Sequence, residues 1–205
     1  MPLRVKSMPK LLLATNNKGK MREYKQLFQD LPFELVFPAE LGINTEVNEV
    51  GGNLEDNARL KATTLARESR LMVLADDSGL EVDVLGGEPG RLSARYAGEG
   101  ASDRDRIDYL LSKLKDVPWE KRSARFRCVI AIATPDGEVE LCSEECWGVI
   151  TFEPKGEEGF GYDPIFYLPG LGKTMAELTL EEKNKVSHRG RAARQAIKLL
   201  RRKYL

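Results

Sequence analysis

Histidine is almost absent from the 205-residue sequence, in which it occurs once, at His188. Mechanisms that need several histidines are therefore excluded, among them histidine-rich zinc sites, paired-histidine acid–base chemistry and HExxH proteolysis. A Ser-His-Asp triad would have to use His188, and no nucleophile elbow accompanies it. This single count removes whole classes of mechanism.

Cysteine is also scarce. The three cysteines, Cys128, Cys142 and Cys146, are odd in number and lack the close Cys-x-x-Cys pairing of a zinc site. We predict reduced thiols on or near strands, in a cytoplasmic protein. Segment 1–10 has no long apolar run after its basic residues, so we expect neither a signal peptide nor a membrane span, and no membrane partner.

The sequence has no excess of either charge, because 32 lysines and arginines balance 32 aspartates and glutamates. No global field attracts nucleic acid or an anionic membrane, so any anion site must be local, and we expect no nucleic-acid partner. The length suits a single domain, 1–205, and is sufficient to bury a real core.

Strand and helix patterns alternate along the chain. Short apolar runs predict strands at 10–14, 33–37, 71–74 and 80–84. Two long β-rich runs joined by Pro135-Asp136-Gly137 predict an antiparallel hairpin. Helical patterns are found at 18–28, at 53–69 behind an Asn53 cap, at 107–114 and at 190–202. The sequence thus predicts an α/β fold, with helices packed around a long central mixed β-sheet.

Adjacent carboxylates, Asp76 and Asp77, follow the apolar run 71–74 and precede Ser78-Gly79. Consecutive strand residues point to opposite faces, so both acids reach one site only if the backbone bends, and we predict a turn at Ser78-Gly79. Paired carboxylates at the end of a strand suit magnesium, which prefers oxygen ligands. The alternative is a turn whose acids are merely solvated.

A junction between a strand and a helix gives a candidate anion site, since a helix N-terminus presents unpaired N–H groups. Its residues are Thr15, Asn16, Asn17, Lys18, Gly19 and Lys20. The alternative is an asparagine-rich turn that caps a helix beside two solvated lysines.

Two later segments suit a flat ring. In Gly159-Phe160-Gly161-Tyr162-Asp163, glycines allow close backbone approach and two aromatics offer flat faces; the alternative is a hairpin turn with core aromatics. Lys183, His188 and Arg189 crowd one stretch, which is either a solvated charged face or a binding segment at a helix start. Phosphate-binding lysines, metal-binding carboxylates and a ring pocket together predict a nucleoside triphosphate site.

Seven short sequence blocks, which occur in order along the chain, resemble those of the inosine/xanthosine triphosphate pyrophosphatase family. The resemblance covers nearly the whole length of the sequence. The blocks are Leu13–Lys20, Glu55–Ala58, Ala75–Leu80, Ser93–Gly98, Gly159–Phe166, Ala176–Leu178 and Lys183–Gly190. The resemblance implies a fold of two lobes with the active-site cleft between them, and a homodimer. Asn16, where relatives often carry glycine, departs from the pattern.

The resemblance also implies a reaction, the magnesium-dependent hydrolysis of ITP, dITP or XTP to the monophosphate and pyrophosphate. Asp77 would be the general base, and Glu49, Asp76 and Asp77 would bind magnesium, with Glu46 as an alternative to Glu49. The substrate would contact Thr15, Asn16, Asn17, Lys18, Gly19, Lys20, Lys61, Ser78, Phe160, Gly161, Tyr162, Asp163, Lys183, His188 and Arg189.

Two other functions remain open at this point. One is a pyrophosphatase that acts on pyrimidine or modified nucleotides, as in the similarly folded Maf-like proteins. The other is a non-catalytic nucleotide- or RNA-binding module, which the basic C-terminal helix supports and the balanced net charge opposes.

Overall fold

One mixed sheet organises the computed structural model, which describes residues 8–45, 47 and 52–205. Within them the strands are β1 (Lys10–Leu13), β2 (Glu34–Val36), β3 (Met72–Val82), β4 (Pro89–Gly90), β5 (Ser123–Ala133), β6 (Val139–Ile150), β7 (Phe166–Leu168) and β8 (Lys173–Thr174). The α-helices are α1 (Lys18–Leu27), α2 (Leu54–Ser69), α3 (Asp103–Lys113), α4 (Leu180–Val186) and α5 (His188–Tyr204).

The strand order is β2-β1-β3-β5-β6-β7-β8, and β4 pairs with β3. β1 is parallel to both of its neighbours, whereas the other pairings are antiparallel. The predicted fold class, a long mixed sheet flanked by helices, is confirmed.

The predicted hairpin is present as β5 and β6, which pair from Ser123↔Val149 to Ala133↔Val139. Its turn is closed by the Gly137 amide, which donates to the Thr134 carbonyl at 3.1 Å. Gly137 has φ of +101°, a left-handed conformation that glycine adopts without steric cost.

Apolar side chains divide into three clusters that define two lobes. Alternate residues of β1 face opposite sides of the sheet, so Leu11 and Leu13 pack toward α1 and α5 while Leu12 packs toward α2. These two clusters form the first lobe. The third cluster joins α3 to the far half of the hairpin through Leu110, Phe126 and neighbours and forms the second lobe.

β3 departs from the sequence prediction of a turn between two short strands. It runs unbroken from Met72 to Val82 and pairs with β5 over nearly all of that length. Gly79 serves a different purpose, because a Cβ there would lie 2.3 Å from the Gly90 carbonyl oxygen. The glycine therefore admits the close approach of β4 to β3 rather than a bend, and the predicted turn was wrong.

Side-chain caps set the starts of the helices that carry the site. The Asn53 side chain accepts from the Asp56 amide at 2.7 Å and begins α2, as predicted. Ser187 begins α5 by accepting from the Gly190 amide at 3.1 Å. A Cβ on Gly190 would lie 1.9 Å from the Asn184 carbonyl oxygen, so this glycine allows α4 and α5 to meet closely.

Within the described ranges, none of the helices combines the length and apolar character that a membrane crossing requires.

Candidate active site

A cleft of about 540 Å³ opens between the two lobes, a volume suited to a small-molecule ligand. Most of the predicted site residues line it, namely Thr15, Asn16, Asn17, Lys20, Lys61, Asp77, Ser78, Phe160, Gly161, Tyr162, Asp163, Lys183, His188 and Arg189. Lys18, Gly19 and Asp76 are not in the lining. Glu49 and its alternative Glu46 lie outside the described residues.

The first lobe brings the N-terminus of α1 to the cleft. Asn17 caps this helix, since its side chain accepts from the Lys20 amide at 3.0 Å and its own amide donates to Thr15 Oγ1 at 3.2 Å. The helix start and the Lys20 ammonium favour an anion here. Lys18 is exposed and does not line the cleft, so its substrate contact stays a prediction.

The two adjacent acids point to opposite faces of β3. Asp77 faces α2, where the Asn57 amide donates to its Oδ2 at 3.0 Å, and Asp77 lines the cleft. The Asp76 carboxylate is paired with Lys20 Nζ at 2.9 Å and with Arg189 Nε at 3.3 Å. Because β3 is extended through both residues, one site does not receive both side chains.

Asp76 is held as a buried anion. Burial favours its neutral form, but Lys20, Arg189 and Lys61 outweigh burial and lower its pKa to about 2. Its carboxylate is paired with two cations and does not line the cleft, so the role of Asp76 as a magnesium ligand stays a prediction that this geometry does not favour.

Magnesium fits this site through few protein ligands. No group of three or more His, Cys, Asp or Glu side chains suited to a metal exists in residues 8–45, 47 and 52–205. Magnesium is usually bound by one or two carboxylates together with water and substrate phosphates, so a site with few protein ligands suits it. Asp77 supplies a carboxylate in the same cleft as Asn17 and Lys20 at the start of α1.

A buried ion network forms the floor of the cleft. Glu23 of α1 pairs with Lys183 and Arg189, each at 2.7 Å, and Lys183 also pairs with Asp163. Burial favours neutral Glu23, but Arg189 and Lys183 outweigh it and lower the Glu23 pKa. Burial raises the pKa of Asp163, although Lys183 opposes the rise. The floor is thus a fixed set of charges excluded from water.

Sequence reasoning missed Glu23. A weak signal existed, because Glu23 stands four residues before Leu27 and therefore on the same inward stripe of α1. A lone acid on that stripe does not reveal its partners, which come from positions 183 and 189.

The loop 159–163, here the aromatic loop, places a ring over these cations. Lys183 Nζ lies 4.6 Å and Arg189 Cζ lies 5.4 Å from the Phe160 ring centroid. The Phe160 amide donates to Asp163 Oδ2 at 2.8 Å. Below the ring lies Gly19 of α1, where a Cβ would be 2.3 Å from Phe160 Cδ1. Gly19 therefore acts by making room for the ring, not by lining the cleft.

His188 is a buried, neutral group at the cleft. It stacks on Phe126 with ring centroids 4.6 Å apart and planes 12° from parallel. Burial lowers its pKa well below 6.5, and Arg189, Lys183 and Lys20 lower it further. Its Nδ1 has no hydrogen-bond partner among the described residues. A neutral imidazole can donate from one nitrogen and accept at the other.

Arg189 is largely committed to the protein. Its guanidinium donates to Glu23, to Asp76 and, at 2.9 Å, to Ser78 Oγ. This pattern ties α1, β3 and α5 together at the cleft floor, and it orients the Ser78 hydroxyl.

The second lobe adds a wall to which the sequence analysis gave no role. Its lining residues include Arg91, Ser93, Arg95, Asp103 and Arg106. The Tyr162 hydroxyl donates to the Ser93 carbonyl at 2.9 Å, which connects this wall to the aromatic loop. The signal was present in the block 93–98, but nothing in the block shows that it faces the cleft.

Comparisons with known proteins agree with this architecture. A protein of Desulforamulus reducens named dITP/XTP pyrophosphatase is 50% identical over 196 residues, which are 96% of this chain and 98% of that protein. A Bacillus subtilis protein of the same name is 46% identical over 193 residues, 94% of this chain and 98% of its own. The solved HAM1 protein of Coxiella burnetii matches with a TM-score of 0.86 and 39% identity, covering 95% of this chain and 100% of that one.

The family model described as the Ham1 family matches residues 11–199. That match spans both lobes and every described residue that lines the cleft. The chain therefore belongs to the Ham1 family.

Proposed function

We propose that the protein hydrolyses noncanonical purine nucleoside triphosphates, ITP, dITP and XTP, to the monophosphate and pyrophosphate. The observation that carries the proposal is that Lys20 at the start of α1, the Asp77 carboxylate and the Phe160 and His188 rings all line one cleft. The names of the full-length relatives support the substrate class. Water adds to the α-phosphorus, and the bond from the α-phosphorus to the oxygen that bridges the α- and β-phosphates breaks, so that this oxygen leaves with pyrophosphate.

Charge neutralisation is the first task of the residues, because anionic phosphate oxygens repel an incoming nucleophile. Lys20 and Lys61 both reach the Asp76 region, Lys61 through a 3.4 Å hydrogen bond to the Asp76 carbonyl. They would stand beside the polyphosphate, with the α1 amides behind them. Asp77, held by Asn57, would orient the attacking water and accept its proton.

Magnesium is the cofactor we propose, with Asp77 as one ligand and Glu49 as an expected second. When bound, it would neutralise phosphate charge and leave the pyrophosphate a better leaving group. Asp76 is not among the ligands that we propose, since its carboxylate is paired with Lys20 and Arg189.

Base selection would depend on hydrogen bonds at His188 and the cations beside Phe160. A donor directed at a 6-oxo group is satisfied by hypoxanthine or xanthine, whereas the 6-amino group of adenine leaves it unpaired. An unpaired buried polar group costs about 1–3 kcal/mol. The Phe160 ring would stack on the base plane.

We further propose a single domain, a cytoplasmic location and a homodimer. Three buried free cysteines suit a reducing compartment. Dimer formation is supported by exposed aromatic area near the hairpin, where Trp119 packs on Phe152 at 6.0 Å and Trp147 is 51% exposed.

The test is a pyrophosphate-release assay on ITP, dITP, XTP, dGTP, ATP, dTTP and UTP, with and without magnesium. We expect turnover of the first three only with magnesium, and loss of ITP-over-ATP discrimination in His188→Ala. Preferred turnover of pyrimidine nucleotides would instead identify a Maf-like activity. Binding of nucleotide or RNA without turnover would identify a non-catalytic module.

A further inference from the structure

The aromatic loop is anchored at two successive amides by two different carboxylates. On the floor side, the Phe160 amide donates to Asp163 Oδ2 at 2.8 Å. On the opposite side, the Gly161 amide donates to Asp103 Oδ2 at 2.7 Å. Asp103 is the first residue of α3 and is 58 positions distant in sequence. An acid in the first turn of a helix commonly serves only that helix, so a bond to a distant loop is a second function.

Asp103 is itself fixed from behind. Its Oδ1 is ion-paired with Arg106, one turn further along α3. Arg106 Nη1 donates to the Ala94 carbonyl at 3.0 Å and to the Ala101 carbonyl at 2.5 Å. Arg106 thereby binds both ends of the segment that leads into α3. The carboxylate that accepts from the Gly161 amide is therefore held by a second partner, Arg106, in the second-lobe wall of the cleft.

Glycine geometry directs the amide to this acid. Gly161 has φ of +62°, and no atom lies within 4 Å of the position of a Cβ. A lack of room for a side chain therefore does not explain why glycine occupies this position. Its left-handed backbone conformation does, and in that conformation the amide, between Phe160 and Tyr162, donates to Asp103. The next residue, Tyr162, is fixed to the same wall through the Ser93 carbonyl.

We infer that Asp103 is a positioning residue for base binding, acting through the Gly161 amide to hold Phe160 and Tyr162 in place. The inference rests on the proposed function, since it assigns a purine ring to the aromatic loop. A hydrogen bond from an amide to a charged carboxylate is stronger than one to a neutral acceptor, so it is suited to hold a loop in place. Without it, the loop would keep the Asp163 contact and the hydrogen bond from Tyr162 to the Ser93 carbonyl, but the Gly161 amide beside Phe160 would lose its partner, and the Phe160 ring would lose its fixed orientation.

Two variants of one helix turn separate this role from helix stability. Asp103→Ala removes the loop anchor. Asp105→Ala removes the capping-box acid, whose carboxylate accepts from the Ser102 amide at 2.8 Å. Asp105 does not line the cleft. Both variants weaken the start of α3, but only the first releases the loop. Asp103→Asn keeps an oxygen acceptor for Gly161 and removes the charge that pairs with Arg106.

Hydrogen exchange of the peptide covering 159–163 tests the anchor without any substrate. We expect faster exchange in Asp103→Ala than in wild type, wild-type exchange in Asp105→Ala, and substantial recovery in Asp103→Asn. Equal exchange in all four proteins overturns the inference. Because no turnover is needed, this result stands even if wild type releases no pyrophosphate from ITP, an outcome that would reject the proposed function alone.

Kinetics with ITP tests the consequence for the base. In Asp103→Ala we expect KM to rise about ten-fold, equivalent to about 1.4 kcal/mol, with kcat within about two-fold of wild type. The inhibition constant of inorganic tripolyphosphate, which has no base, should be unchanged. A fall in kcat at constant KM, or an equal loss of tripolyphosphate affinity, would show that Asp103 does not act through the base and would overturn the inference.

Discussion

Gly19 offers the sharpest test of how the two halves of the cleft depend on each other. It is the second residue of α1, and a Cβ there would lie 2.3 Å from Phe160 Cδ1 and 2.7 Å from Phe160 Cε1 and Cγ. Carbon atoms that are not bonded rest roughly 3.5–4.0 Å apart. The Gly19→Ala methyl group must therefore displace the ring by more than about 1 Å, because the ring is on a loop and the methyl is on a helix.

The expected magnitude follows from what the ring would do. Stacking of an aromatic side chain on a base is worth about 1–3 kcal/mol, so complete loss raises KM for ITP by roughly 5- to 150-fold. The helix responds in the opposite direction, since alanine in place of glycine stabilises a helix by up to about 1 kcal/mol. Gly19→Ala should therefore bind the base less well while unfolding at the same or a higher temperature.

The assay compares KM for ITP, the inhibition constant of tripolyphosphate and the thermal midpoint. Gly170→Ala is the matched control, because no atom lies within 4 Å of a Cβ at that position. We expect the control to match wild type in all three measurements. An unchanged KM in Gly19→Ala, or a loss of tripolyphosphate affinity as large as the loss for ITP, would refute the reasoning that the methyl acts through Phe160.

Three further predictions concern ionisable groups. Asp77→Asn should lower kcat at least about 100-fold with little change in thermal midpoint, whereas Asp76→Asn should lower the midpoint because it breaks a buried pairing; equal stability of both variants would contradict their separation. The pKa of His188 in the folded protein lies below 6.5. As the pH falls below 6.5, the unfolded state therefore binds a proton that the folded state does not, and the free energy of unfolding decreases by about 1.4 kcal/mol per pH unit. The single histidine resonance should stay in its neutral position at pH 6 by NMR, and a midpoint near 6.5 would count against this. Glu23→Gln should cost about 3 kcal/mol, or roughly 6–12 °C in thermal midpoint, and a shift under 2 °C would show that the network does not need the charge.

Local chemistry explains which elements the sequence predicted. The Asn53 cap and the Pro135-Asp136-Gly137 turn each depend on bonds within a few residues, so their patterns are legible in sequence. Gly79 behaved differently. Ser78-Gly79 has the composition of a turn, but the glycine is required because the Gly90 carbonyl of another strand lies too close to leave room for a side chain. A contact of that kind leaves no local pattern, so the break in β3 was predicted wrongly.

The same limit explains the site residues that were missed. Glu23 and Asp103 act on partners 160 and 58 positions away, at Lys183 and Gly161 respectively. Each is an ordinary acid on a helix when taken alone, and only the folded chain gives it a cation or an amide to bind. Conversely, the residues of the aromatic loop could be predicted from the sequence, because their signal, glycines alternating with aromatic residues, lies within five consecutive positions.

Continuity of β3 explains how one strand would serve both ends of the substrate that we propose. Side chains alternate along an extended strand, so Asp77 faces the cleft beside α2 while Asp76 faces α1 and α5. Asp76 there fixes Lys20 at the start of α1 and Arg189 beneath the Phe160 ring. The bend that we predicted would have turned both acids toward one metal and left these two cations without their shared anion. In the function that we propose, an unbroken strand would give Asp77 to the reacting phosphate, while Asp76 would hold Lys20 and Arg189 at a fixed spacing before any nucleotide binds.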